Sequence, residues 1–419
     1  MGKIKFKIYT LGCKVNQYDS RSLQKALFQT DFVEVEKNAD LAVVNTCAVT
    51  GSAIRKDRRM VKKAKKENPK AKLVVMGCLP EIRRGEFDNF SPDIVHGTGR
   101  QAELWQKIQA LFNKSVIFKD FSGIVSEDRA RYFLKIQDGC EQFCSYCIIP
   151  YTRGKLKSRV RKEILAEAQE AVRVGFSEIV LTGIHLGLYG VDRKEKYDLV
   201  DLLTEILKIK GLGRIRLSSI EVTEVRSDLI ELMKNNSRIC PHLHIPLQAG
   251  SDKILKAMNR PYDTKYFEEK VKEIRKEIPK IALSTDVIVG FPGEGKEDFR
   301  QTCDLIQKIG FSRLHVFPFS AHPETPAYKL KSQVSELEKA KRADKLRKLG
   351  RELEGQYKNK FKNKELEVVV ENCKKNTIKG KSQYYFDLTF KAEEAGVIFS
   401  QKNRLIGKII RIKEKNMLK

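Results

Sequence analysis

Cys140, Cys144 and Cys147 lie within one eight-residue stretch, CEQFCSYC. Thiols crowded this closely are ligands or redox partners. Three is one fewer than a structural zinc site or an ordinary iron–sulfur cluster takes from its protein. A four-iron cluster held by three thiolates keeps one iron free for an exogenous ligand, as an open coordination position does in a catalytic metal site. Zinc is the poorer reading, because no fourth ligand is evident.

Three further cysteines share a context instead of a neighbourhood. Cys13, Cys47 and Cys78 follow the apolar runs IYTLG, VVNT and VVMG. If those runs are parallel strands, their C-terminal ends share one sheet edge, where open α/β folds bind ligands. Topology then gathers a second set of three thiols. The plainer reading is three buried packing residues, since free cysteine is commonly buried. The shared strand-end context favours ligands. Cys240, Cys303 and Cys373 have no partner at metal-ligand spacing and read as packing residues.

These thiols need elements to position them. Residues 1–115 alternate strand-like runs (KIKFKIYT, LAVVNT, KLVVMG, DIVHG) with helical stretches near 17–29, 50–67 and 99–112. This βα rhythm predicts a doubly wound, mostly parallel sheet. Residues 130–320 repeat the rhythm six times, in RYFLKIQ, EIVLTG, RIRLSSIEV, LHIPLQ, ALSTDVIVGF and RLHVFPFS. Six βα units predict a partial barrel with its chemistry at the strand C-termini. A polar helical stretch follows, roughly 335–361. The tail then changes to short strand-like runs, ELEVVVENC, YYFDLTF, GVIFS and KIIRIKE, which read as a small β-barrel. The expected fold class is therefore α/β, with a small β-barrel at the C-terminus.

The net charge is +27, with 81 Lys and Arg against 54 Asp and Glu. That points to a polyanionic partner such as nucleic acid. The run RKDRRMVKKAKK (Arg55–Lys66) falls on the helix after Cys47, either as a solvated face or as a contact for phosphates. Tyr384, Tyr385 and Phe386 lie among tail lysines and either pack in a core or present an aromatic to an unstacked base. The N-terminus lacks the pattern of a signal peptide, and no apolar run approaches the roughly 20 residues that span a bilayer. A soluble, cytoplasmic protein without membrane attachment is expected. The sequence sets no oligomeric state.

The CxxxCxxC spacing with six following βα units resembles the radical S-adenosylmethionine (SAM) enzymes. The whole chain is similar to the methylthiotransferases of that superfamily. TLGCKVNQYDS, VVNTCAVT and VVMGCLP resemble that family's N-terminal domain. GCEQFCSYCIIPYTRG, LTGIHLGLYG, HIPLQAGSDKILKAMNR and STDVIVGFPGE resemble its radical domain, and the tail resembles a tRNA-binding TRAM domain. The resemblance implies three domains: 1–118 with an auxiliary [4Fe–4S] cluster, 126–356 as the radical SAM domain, and 357–419 as the TRAM-like module. GCKVNQYDS and LTGIHLG look most like the branch that modifies threonylcarbamoyladenosine in tRNA, the MtaB type.

What this resemblance implies is methylthio insertion at C2 of an adenosine beside the anticodon. It implies two [4Fe–4S] clusters, held by Cys13, Cys47 and Cys78 and by Cys140, Cys144 and Cys147, and two uses of SAM. One SAM methylates a sulfur at the auxiliary cluster; another gives the deoxyadenosyl radical that attacks C2. The clusters and SAM carry that chemistry, so no side chain is assigned as catalytic. An electron donor such as a flavodoxin or ferredoxin is implied. Tyr146 matches the aromatic position against the adenine. Thr182 and Gly183 match the segment meeting the SAM amino group. Glu221 and Gln248 sit where the ribose or methionine carboxylate would be met, and Gly290, with Gly293, forms a tight turn near adenine. Arg153 is left between a SAM carboxylate and a tRNA phosphate, and His244 reads as a satisfied core histidine. Two alternatives remain: the branch acting on isopentenyladenosine in tRNA, and a non-catalytic iron–sulfur RNA-binding protein with structural clusters.

Overall fold

The computed structural model describes residues 3–114, 130–374, 376–395 and 405–413. Its first sheet has five parallel strands in the order β2-β1-β3-β4-β5. They are β1 (Ile4–Thr10), β2 (Phe32–Glu34), β3 (Leu41–Thr46), β4 (Lys72–Gly77) and β5 (Ile94–His96). Alternate residues of β3 face opposite layers, as strand geometry demands. Leu41 and Val43 pack with helices α1 (Lys14–Phe28) and α4 (Gln101–Leu111). Ala42 and Val44 pack with α2 (Gly51–Glu67) and α3 (Cys78–Ile82). Both faces are covered, which is why β3 and β4 read as continuous apolar runs. Thr50 starts α2 by accepting a hydrogen bond from the Ala53 N–H at 3.1 Å.

In the central region, β6 (Tyr132–Lys135), β9 (Glu178–Thr182) and β10 (Arg214–Leu217) form one parallel sheet, and β11 (His242–His244), β12 (Ala282–Val289) and β13 (Arg313–Pro318) form another. Single bridges, Ile215 to Ile239 and Ser219 to His244, join them into one six-stranded arc. Among the described residues, no pairing closes β13 onto β6, so the partial barrel is open. Helices α6 (Arg161–Arg173), α7 (Leu199–Ile206), α8 (Ser227–Asn235), α9 (Asp252–Ala257), α10 (Thr264–Glu277) and α11 (Lys296–Ile309) lie along the chain between these strands. The short antiparallel pair β7 (Gln137–Asp138) and β8 (Lys157–Ser158) clamps the cysteine-rich loop at its base, with α5 (Ile149–Arg153) inside the loop.

Helix α12 (Glu336–Asn359) leads to an antiparallel sheet in the order β16-β15-β14-β17. Its strands are β14 (Glu365–Lys374), β15 (Thr377–Ser382), β16 (Asp387–Lys391) and β17 (Ile409–Lys413). The run GVIFS and the expected 118/126 boundary lie outside the described residues. The β15–β16 hairpin docks at the N-terminal end of the barrel strands. Arg214 and Arg216 pair with the buried Glu178 at 2.6 and 2.9 Å. Their remaining guanidinium N–H groups donate to carbonyls of Glu367, Lys381, Ser382 and Gln383. Tyr385 stacks on His242 with ring centroids 4.3 Å apart, and Phe386 is buried in the tail's own core beside Tyr384. All three aromatics therefore pack against the protein, Phe386 buried and the two tyrosines half-buried.

Candidate functional site

The first thiol set forms as the topology demands. β1, β3 and β4 are neighbours, and Cys13, Cys47 and Cys78 follow their C-terminal ends. Asn16, in the first turn of α1, sits among them. Its Oδ1 lies 3.8 Å from Cys13 Sγ and 3.7 Å from Cys78 Sγ, while its Nδ2 donates to the carbonyls of Leu11 and Thr46. The N–H of Cys47 donates to both oxygens of buried Asp57, at 3.2 and 3.1 Å. Gly77 has φ +107, and a Cβ there would lie 2.5 Å from Asn45 Oδ1 and 2.6 Å from the Thr46 carbonyl oxygen. Only glycine lets β4 turn this tightly into Cys78.

The second set lies in the loop clamped by β7 and β8. Gly139, at φ +72, precedes Cys140, and a Cβ there would fall 1.9 Å from the Lys155 carbonyl oxygen. Cys140 N–H donates to the Gly154 carbonyl at 3.0 Å, and Cys147 N–H to that of Cys144 at 2.9 Å. Two side chains not anticipated from sequence flank these thiols. His185 Nδ1 is 3.3 Å from Cys140 Sγ, and its other ring nitrogen pairs with Glu224. Burial opposes its charge, yet the bonds to Cys140 and Glu224 push it up to about 10. Arg260 donates to Cys144 Sγ at 3.2 Å and pairs with Glu221. His185 stood in plain view in LTGIHLG; nothing in KAMNRP marks Arg260.

Arg153, the last residue of α5, ties the two sets together. Its side chain is 1% exposed. It donates to Asp19 at 2.8 Å, to Asp138 at 3.0 Å and to Asn16, which touches the first thiol set. Neither a SAM carboxylate nor a tRNA phosphate is needed to account for it. Further links join the same two regions: Arg83 with Glu324 at 2.8 and 3.0 Å, Tyr18 with Glu167 at 3.0 Å, and Gly51 N–H with Ser320 at 2.8 Å.

Beside Cys147, where the two cysteine-bearing regions meet, lies a cavity of about 170 Å³. Thr50 borders it from the first region; Tyr146, Cys147, Gln248, Ile288 and Phe317 border it from the barrel. Its walls are largely apolar and aromatic, which suits a planar ring. Of the other residues singled out from sequence, Thr182 is buried at the end of β9, and Gly183 packs so closely that a Cβ would meet Gln137 Oε1 at 2.9 Å. Glu221 is buried beyond the end of β10, and burial raises its carboxyl pKa. Gln248 lies past β11 with φ +64. Gly290, at φ +71, follows β12, and a Cβ there would strike Lys339 Cγ at 2.3 Å. Strands β10 and β11 end before Glu221 and Gln248, so these two sit on the strand-end rim. Cys240 and Cys303 are buried as packing residues.

Neither thiol set is drawn together around a single ion. Sulfurs sharing a tetrahedral zinc stand about 3.8 Å apart, given Zn–S near 2.3 Å. Among the described residues, the one group of three ligand-type side chains with donor atoms all within 4.8 Å is His244, Asp286 and His315. Neither thiol set converges that closely. Burial and neighbouring thiols push Cys47 and Cys147 each up to about 12, and binding to a positive metal centre would favour their thiolates.

A parallel partial barrel with a three-thiol loop at its strand ends defines the radical SAM class. Residues 134–306 match the Radical SAM superfamily, and residues 5–97 match uncharacterized protein family UPF0004. The threonylcarbamoyladenosine tRNA methylthiotransferase MtaB of Bacillus subtilis is 36% identical, over 97% of this chain and 92% of its own. MtaB of Thermotoga maritima is also 36% identical, over 94% and 93%. The tRNA-2-methylthio-N(6)-dimethylallyladenosine synthase of Carboxydothermus hydrogenoformans is 35% identical, over 99% and 97%. The chain belongs to the radical SAM methylthiotransferase family. Among solved structures, the radical SAM methyltransferase TsrM of Kitasatospora setae shares the fold, with TM-score 0.58 and 14% identity over 78% of this chain and 77% of that one.

Proposed function

We propose that this protein places a methylthio group on C2 of N6-threonylcarbamoyladenosine beside the anticodon of tRNA. The observation that carries the reading is the pair of three-thiol sets at strand C-terminal ends, linked through Arg153, with a cavity beside Cys147 that both regions border. The relatives named for threonylcarbamoyladenosine and the matching N-terminal motifs support this branch over the isopentenyladenosine one.

Cys13, Cys47 and Cys78 would hold one [4Fe–4S] cluster, and Cys140, Cys144 and Cys147 the other. When bound, the clusters and SAM supply the radical and methylthio chemistry that no side chain here can perform. The chain's own residues position and shield. Tyr146 and Phe317 offer flat apolar walls for a ring. Gly183, Glu221, Gln248 and Gly290 form the strand-end rim on which SAM would rest. His185 and Arg260 place donors and positive charge against Cys140 and Cys144, favouring their thiolates. Arg153 places positive charge near Cys78 of the other set, while Asn16 Oδ1 accepts from the Cys13 and Cys78 thiols.

Three functional modules, 1–118, 126–356 and 357–419, fit this reading, the last meeting tRNA as a TRAM-like domain; the 356/357 boundary falls within the last turn of α12. A flavodoxin- or ferredoxin-type protein is the proposed electron donor, and the cytoplasm the proposed location. Among the described residues no helix is long and apolar enough to cross a membrane. The test is mass spectrometry of tRNA nucleosides from cells lacking the gene. Loss of the methylthio form of threonylcarbamoyladenosine is expected. Loss of the isopentenyl form instead would transfer the assignment to the other branch.

A further inference from the structure

A polar group in the barrel takes no part in the account above. His244 pairs in register with Ser284, and Asp286 pairs with His315. Ser284 and Asp286 are two residues apart on β12 and so share a face. His244, Asp286 and His315 therefore project from one face of three adjacent strands. Asp286 Oδ1 lies 3.3 Å from His244 Nε2 and 3.2 Å from His315 Nδ1. The three donor atoms all lie within 4.8 Å of one another. His244 Nδ1 is 3.0 Å from Ser284 Oγ, which fixes the ring from behind and leaves Nε2 facing the carboxylate. Such a bond on the far ring nitrogen is the usual support of a metal-bound histidine. The His244 side chain is 10% exposed, against 28% for Asp286 and 36% for His315. Asp286 also lines the cavity beside Cys147, so an ion has a way in.

Two imidazoles and one carboxylate suit a borderline divalent ion such as zinc or ferrous iron. Magnesium and calcium prefer sites built from oxygen. We propose that His244, Asp286 and His315 form a divalent-metal site of the two-histidine, one-carboxylate class beside the cavity that Asp286 lines. Binding would draw the donors in to about 2.0–2.2 Å from the ion. Three protein ligands leave coordination positions open toward the cavity, where the ion accepts an oxygen or nitrogen donor from a molecule bound there.

The test uses the full chain with both clusters in place, given one equivalent of zinc sulfate under argon and then buffer-exchanged. Retained zinc and iron are counted by mass spectrometry, and the zinc environment is read by K-edge X-ray absorption. The expected result is about one zinc per chain, with nitrogen and oxygen neighbours at about 2.0–2.1 Å and no sulfur near 2.3 Å. H315A and D286N should each lower zinc affinity about tenfold or more with iron unchanged. Failure to retain zinc, a sulfur shell, or undiminished affinity in both variants overturns the proposal. If a variant also loses iron, the absorption spectrum of the unaltered protein decides alone.

Discussion

Replacing Arg153 with methionine tests the idea that one buried cation holds the two cysteine-bearing regions together. Methionine roughly keeps the volume and removes the charge. Arg153 makes three charge-assisted contacts, to Asp19, Asp138 and Asn16, with its side chain 1% exposed. Breaking a buried pair from one side costs about 3–5 kcal/mol, because the abandoned charge stays buried. Lys135 still pairs with Asp19 and Asp138 at 2.5 and 3.2 Å, which puts the expectation at the low end, about 3 kcal/mol. The assay is urea unfolding of the cluster-loaded protein under argon, followed by circular dichroism. The double variant R153M/D19N should lose less than the sum of the single variants, since removing Asp19 relieves the uncompensated charge. R153K, which keeps the charge and loses the fork, should fall between. A loss below about 0.5 kcal/mol for R153M, the range of an ordinary surface change, would refute the reasoning.

Gly139→Ala places a Cβ on the Lys155 carbonyl oxygen and should abolish the second thiol set alone; iron analysis should fall from about eight to about four per chain. Glu178 is held down to about 2, against its burial, by Arg216 and Arg214. A depressed carboxyl contributes stability above its unfolded pKa, so that contribution should disappear as pH falls from about 4.5 through 2. E178Q should flatten this acid dependence in the cluster-free protein, followed by circular dichroism. Reversing Arg59, Lys62 and Lys66 to Glu should weaken tRNA binding and shallow its log–log salt dependence by about 2–3 units, if each meets one phosphate; an unchanged slope excludes α2 from the contact.

Pattern carried the sequence reading where one feature decides an element. The runs LAVVNT and KLVVMG are apolar throughout because both faces are covered, and their βα spacing put Cys47 and Cys78 beside Cys13 before any coordinates. Pattern failed where a tertiary neighbour decides. TIKGKS carries no strand signal, yet it is central in the tail sheet because β14 and β16 flank it. Arg260 reaches Cys144 across 116 residues, a contact written in neither local segment. His244 read as a core histidine, since LHIPL is apolar; its meeting with Asp286 and His315 depends on the register of three strands. Tyr385 was open to a base until the hairpin docked it against His242.

Arg153 also bears on where tRNA is held. The sequence left it between an anionic cofactor and a phosphate, but both terminal nitrogens of its guanidinium are engaged inside the protein. The cations that meet the tRNA backbone must therefore be ones without an internal partner. Helix α2 offers candidates. Ile54, Asp57, Val61 and Ala64 face inward, while Arg55, Lys56, Arg59, Lys62 and Lys66 are exposed. The helix begins at Thr50, on the cavity rim, and its 17 residues extend about 25 Å from it. A stem whose flipped base occupied the cavity would have its phosphates within reach of that face. The exposed basic face of α2 and the acids Asp19 and Asp138 thus suit different needs: the first is available to a polyanion, while the second pair with Arg153 and Lys135 between the two thiol-bearing regions.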